Sequence, residues 1–121
     1  MIHLVFCLRR MPHLTREEFQ RYWRETHAPL VRQHATALGI RRYVQAHAID
    51  HPVAAGAQAS RGAPEPYDGV AELWFDGEAL LRATHTPAGA EAGRALLEDE
   101  RRFIDLSHSP IFFTEDYEVI S

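Results

Sequence analysis

Four short runs of apolar and β-branched residues, at 2–8, 42–49, 69–75 and 111–120, divide the chain, and helical patterning fills the first and last of the intervals between them. Runs of this length suit strands and fall well short of the roughly 20 apolar residues that cross a bilayer. Ile2–Leu8 stops at Arg9-Arg10-Met11-Pro12, a strand followed by a turn. The second run alternates Tyr43, Gln45 and His47 against Val44, Ala46 and Ala48, so its two faces are unlike. The third ends at Asp76-Gly77, and the last follows a break at Pro110. The order strand, helix, strand, strand, helix, strand is that of a split β-α-β unit. The expected class is therefore α+β: a ferredoxin-like sandwich, with an antiparallel four-stranded sheet carrying helices on one face.

The first helix has its own start signal. Thr15 offers a capping oxygen and Glu18 stands three residues later, which is the spacing of a capping box. Phe19, Tyr22, Trp23, Thr26, His27 and Leu30 then recur at three- and four-residue spacing and form an inward stripe. Pro29 has no amide hydrogen and its ring crowds the carbonyl of Glu25, so the helix must kink or restart near His27-Ala28. Gly39 is a natural stop, which leaves one broken helix over 15–38. Residues 51–66, rich in Ala, Gly, Pro and Ser without a period, are expected to form a long mobile loop. A short helix at 77–82 and a longer one at 87–105 complete the pattern. With 121 residues, one domain over 1–121 is expected. The sheet face away from the helices would carry Val5, Cys7, Tyr43, Val70 and Trp74 or their alternates, an apolar surface that a homodimer would cover.

Composition narrows the function classes. At 45% hydrophobic and 25% charged residues the chain has ordinary globular usage. A formal charge of −4 argues against a nucleic-acid partner, which needs clustered Lys and Arg. The single Cys7 excludes an internal disulfide, and the opening apolar run lacks the basic segment of a signal peptide; a cytoplasmic location is expected. Eight histidines show no paired helical spacing, so no metal is expected. No phosphate loop or nucleophile elbow is present, and no cofactor is expected.

Leu14-Thr15-Arg16-Glu17-Glu18-Phe19, leading into Tyr22-Trp23-Arg24-Glu25-Thr26-His27-Ala28-Pro29-Leu30-Val31, resembles the signature of the EthD-like family. The similarity extends to Leu4-Val5-Phe6 with Arg9-Arg10, to Tyr67-Asp68-Gly69-Val70-Ala71-Glu72 and to Glu100-Arg101-Arg102-Phe103-Ile104-Asp105. The resemblance implies a dimeric α+β barrel with a ligand pocket between sheet and helices, in or beside which Tyr22, Trp23 and His27 would lie. Proteins that resemble the family include an accessory component linked to fuel-ether degradation and cofactor-independent enzymes acting on polyketide-like or aromatic molecules. Related barrels include isomerases, cofactor-free monooxygenases and haem proteins.

The leading expectation is a cofactor-independent enzyme that moves protons on a small apolar or aromatic molecule, as a lyase, dehydratase or isomerase does. The alternatives are a noncatalytic small-molecule-binding accessory protein and, third, an oxygen-using enzyme, cofactor-free or haem-dependent. His27 is the expected general acid/base, because imidazole exchanges protons near neutrality; its other reading is a cap on the helix end. Tyr22 and Asp68 are expected to orient the substrate's polar group or His27, although Asp68-Gly69 is also ordinary turn chemistry. Trp23, Phe6 and Phe75 are the expected pocket walls, or plain core. Glu72 on an apolar strand faces solvent, meets a basic group across an interface or serves a site.

Overall fold

The computed structural model describes all 121 residues. Strand β1 (Ile2–Leu8) leads to α1 (Arg16–Tyr22), a π turn (Trp23–His27) and α2 (Ala28–Leu38). Then come β2 (Ile40–His47), α3 (Ala54–Arg61), β3 (Gly69–Phe75), α4 (Gly77–Ala83), α5 (Pro87–Phe103), a 3₁₀ turn (Leu106–His108) and β4 (Ile111–Thr114). The strands form one antiparallel sheet in the order β2-β3-β1-β4, the ferredoxin-like arrangement expected from the sequence.

Both halves of the Thr15–Glu18 capping box form, at 2.9 and 3.1 Å. The proline is accommodated without a break. The amide of Ala28 donates to the carbonyl of Trp23, five residues back, and this wider turn accommodates the ring of Pro29. The π turn also corrects a drift. Phe19, Trp23, His27 and Val31 are each four residues apart and all buried, whereas four residues of α-helix overshoot a full turn by about 40°. Without a compensating turn of lower twist, Val31 would stand about a third of a turn away from Phe19. Thr26, expected in the stripe, is exposed for that reason.

The core gathers Phe6, Leu8, Phe19, Trp23, Phe103 and Ile104 between the sheet and the helices. Gly69 is needed there: a Cβ at this position would fall 2.4 Å from Trp23 Cζ3, so only a bare backbone lets the indole lie on β3.

Several elements depart from expectation. Residues 51–66 contain a helix rather than an unbroken loop: Ala54–Arg61 carries four alanines, the best helix formers, and closes at Gly62 in the left-handed conformation (φ 58°). β2 begins two residues earlier than expected, with a bulge between Ile40 and Arg42. β4 ends at Thr114 instead of Ile120, because its partner β1 has only Ile2 and Met1 left beyond the His3–Thr114 pair. The tail beyond it is exposed, with Tyr117, Val119 and Ile120 at 79, 90 and 90%.

Strand alternation sends Leu4, Phe6, Leu8, Ala71, Leu73 and Tyr43 under the helices, which corrects the placement of Tyr43 on the outer face. The outer face carries Val5, Cys7, Val44, Val70, Trp74 and Phe112. Trp74 there is sandwiched, with the Arg42 guanidinium 4.6 Å from its ring centre and His3 stacked at 4.2 Å. His3 Nδ1 bonds Asp116 of the tail at 2.8 Å, and Glu72 lies 3.1 Å from His3 Nε2, out of line for a hydrogen bond.

Candidate active site

A cavity of about 140 Å³ opens between the sheet and the helices. Leu4, Phe6 and Leu8 of β1, Ala71 and Leu73 of β3, and Leu96 and Ile104 make up most of its wall, with Ile111 at the rim. Three polar side chains interrupt the apolar surface: His27 from the π turn, Tyr43 from β2 and Glu100 from α5.

His27 is 5% exposed, and its Nδ1 lies 2.7 Å from Asp99 Oδ2. Asp99 is also buried. Burial alone would raise its pKa, but hydrogen bonds from Tyr22 and His27, the charge of His27 and a bond from Arg102 outweigh it and hold the carboxyl below its ordinary value. The Tyr22 hydroxyl donates to Asp99 Oδ1 at 2.5 Å and Arg102 donates to the same oxygen at 3.2 Å. An ionised carboxylate only accepts, so the proton between the two rests on His27 Nδ1. That assigns the tautomer and leaves Nε2, which bonds nothing in the chain, as a lone pair at the cavity. Burial pushes the pKa of His27 below its ordinary value, and the bond and charge of Asp99 only partly restore it, so the ring is a neutral base at pH 7.

Tyr43 is held by a second network. Its oxygen accepts from Trp23 Nε1 at 3.2 Å and from Gln45 Nε2 at 2.9 Å. With both acceptor positions used, its own hydrogen is free to donate. Burial, with a smaller contribution from the Glu100 charge, keeps the phenol pKa raised, so it stays protonated. Gln45 is oriented in turn by His47, whose Nε2 lies 2.8 Å from Gln45 Oε1.

The expected site residues separate into two groups. His27, Trp23 and Phe6 are brought together on the cavity wall. Tyr22 donates to Asp99 from outside the cavity and is not among the residues that line it. Phe75 is buried core at the far end of β3, opposite Ile2 and Ile40, and does not reach the cavity. Asp68 does not orient His27: it accepts from the Arg10 amide at 2.8 Å and pairs with the Arg10 guanidinium, tying the end of β1 to the start of β3. Asp99 takes the place expected of Asp68. Glu72 lies on the outer face, away from the cavity. Asp99, Glu100 and Tyr43 were missed. Asp99 and Glu100 sit on the longer of the expected helices among many charges, and only the second of them falls within the family-like motif at 100–105. No group of three His, Cys, Asp or Glu side chains is arranged to hold a metal ion, and no helix is long and apolar enough to cross a membrane.

The family model of the EthD domain matches residues 11–107, which span the capped helix, the π turn and all of α5. The chain belongs to the EthD family. Among solved structures, it resembles an ethyl tert-butyl ether D (EthD) family protein from Bacillus halodurans, with 21% identity, 97% of this chain and 99% of that chain covered, and a TM-score of 0.61. An EthD-like protein from Ralstonia eutropha aligns at 16% identity over 99% and 96% of the two chains, TM-score 0.63. A protein from Bacteroides fragilis described as dimeric, with a ferredoxin-like fold, aligns at 9% identity over 95% of each chain, TM-score 0.57. These likenesses establish the EthD fold. No curated protein matches the chain in sequence.

Proposed function

We propose that this EthD-family chain is a cofactor-independent enzyme that transfers protons on a small apolar or aromatic molecule, as a lyase, dehydratase or isomerase does. One observation carries the reading. The Nδ1–H of His27 is committed to an ionised Asp99, so Nε2 is an unprotonated base on the wall of a mostly apolar cavity. His27 is the catalytic residue. Asp99 positions it and stabilises the imidazolium formed after proton uptake, and Tyr22 and Arg102 position Asp99. Trp23 and Phe6 are walls against the ligand. At about 140 Å³ the cavity takes roughly one benzene-sized ring.

The working unit is the single domain 1–121, assembled as a homodimer in the cytoplasm. The half-buried apolar residues of the outer face and the exposed tail support the dimer, as does the dimeric state of the B. fragilis protein. Asp68 acts as a strand tie in this reading.

Hydrogen–deuterium exchange of cyclohexanone in D₂O, followed by proton NMR, tests the chemistry without knowledge of the natural substrate. Wild-type protein should speed loss of the hydrogens beside the carbonyl, and His27→Ala should slow it on the order of 100-fold while leaving the dimer intact. Exchange that survives in His27→Ala removes the catalytic assignment and leaves a ligand-carrying protein.

A further inference from the structure

Glu100 is the one carboxyl on the cavity wall, and the His27–Asp99 pair does not employ it. It follows Asp99 on α5, so it points about 100° around the helix from it. Asp99 faces Tyr22, His27 and Arg102, whereas Glu100 faces the cavity. Its carboxyl receives no hydrogen bond and forms no ion pair within the chain. Burial above all, and the charge of Asp99 next, push its pKa up to about 7. The groups around it are Asp99 on its own helix, His27 from the π turn and Tyr43 from β2. An unpartnered carboxyl is costly to bury, and a ligand hydrogen-bonding to it would remove the cost.

We propose that Glu100 is the acid partner of His27, and that the two work together on a small cyclic or aryl ketone carrying hydrogen on the carbon beside its carbonyl. The inference rests on the proton-transfer reading and adds a second reacting group and a substrate class. In a cavity that holds about one ring, both side chains touch the same ligand. His27 Nε2 takes the proton from carbon, and the C–H electron pair becomes the new C=C bond. The carbonyl π pair moves to oxygen and takes the Glu100 proton there, with Tyr43 O–H donating a hydrogen bond to the same oxygen. The product is a neutral enol, with an imidazolium held by Asp99 and a Glu100 carboxylate. Once the imidazolium N–H has swapped its proton for solvent deuterium, delivery to the original carbon gives exchange; where the ketone carries a further C=C, delivery to the far carbon of the dienol gives an isomer, and in both cases Glu100 recovers the enol proton. No oxidant or outside reagent is consumed.

Cyclohexanone exchange in D₂O from pH 5 to 9, with wild type, Glu100→Gln, Glu100→Leu and His27→Gln, tests this, together with carbon-13 NMR titration of labelled glutamate carboxyls. Glu100→Gln keeps a donor but cannot pass on a proton. It should lose on the order of 100-fold in exchange at pH 6 to 7, and its profile should lose the limb near pH 7. One carboxyl, absent from the spectrum of Glu100→Gln, should titrate near 7. Both Glu100 variants exchanging at the wild-type rate, or that carboxyl titrating at an ordinary glutamate value, overturns the role of Glu100 and leaves His27 standing. Exchange retained in His27→Gln, or wild type no faster than buffer, instead overturns the underlying proton-transfer reading and this inference with it.

Discussion

Replacing Glu100 by Gln should stabilise the protein at alkaline pH and do nothing comparable in acid. The folded chain raises this carboxyl from an ordinary 4.5 to about 7. A group raised on folding contributes stability that is fully present below its unfolded pKa and is lost as pH rises through its folded one. The window therefore runs from 4.5 to about 7. At roughly 1.4 kcal/mol for each pH unit between the two values, ionised Glu100 costs the fold about 3 kcal/mol above pH 7. Glutamine has nearly the same shape and no charge, so the variant escapes that cost. The assay is urea unfolding of both proteins at pH 4.5 and 8.5, at one protomer concentration because a dimer's stability depends on it. Asp99 and His27 titrate in both proteins, so their contributions cancel to first order in the difference. The expected result is a stability difference that grows by about 3 kcal/mol, in favour of Glu100→Gln, between the two pH values. A difference that does not change with pH would falsify the claim that Glu100 is held partly neutral on the cavity wall.

Three further outcomes follow from the same geometry. Asp68→Ala removes the buried carboxylate that accepts from the Arg10 amide and guanidinium, and should lower stability by about 1–3 kcal/mol in urea, while exchange per folded molecule stays at the wild-type rate; lost exchange would return Asp68 to the site. In Asp99→Asn the remaining oxygen stays with the donors Tyr22 and Arg102 and the amide NH2 faces His27 Nδ1, so nitrogen-15 NMR should show the Nδ1–H tautomer depleted and exchange should fall on the order of 100-fold; an unchanged tautomer would dismiss Asp99 as the positioning group. Phe112→Glu places a charge on the apolar outer face, and sedimentation should show a monomer where wild type sediments as a dimer; a wild-type monomer at micromolar concentration would remove the assembly argument.

The sequence was most legible where the signal is local. Thr15 and Glu18 are three residues apart, and the β1 and β3 patterns lie within seven residues each, so the capped helix and both strands appear as expected. With the second and fourth strand runs and the helical pattern at 87–105, they give the element order of an antiparallel sheet with helices on one face. The site was only half legible. His27 announces itself beside Pro29, but its partner lies 72 residues away, and Asp68 was the more conspicuous carboxylate beside a strand. Asp99 falls on the inward spacing of Ala92, Ala95, Leu96 and Phe103, which sets it apart from Glu98 and Glu91, but nothing local marks it as the partner of His27. The Ala54–Arg61 helix was hidden by its Pro and Gly neighbours, which outweighed the alanines in a reading that lacked periodicity.

Pro29 links the two levels. Taken alone it predicts a broken helix, which would separate the Phe19 and Trp23 face from Val31 and leave His27 on a frayed end. The backbone instead widens by one hydrogen-bond step, from Ala28 back to Trp23, and carries the helix on to Gly39. That step keeps Phe19, Trp23, His27 and Val31 in line, so the histidine enters the cavity between two core residues and meets Asp99 of α5 across the helix layer. A regular helix with the same four residues would rotate His27 and Val31 progressively out of that plane. The proline therefore accounts for the location of the base as well as for the irregularity of the helix, and the tight packing of Trp23 on Gly69 holds the turn against the sheet.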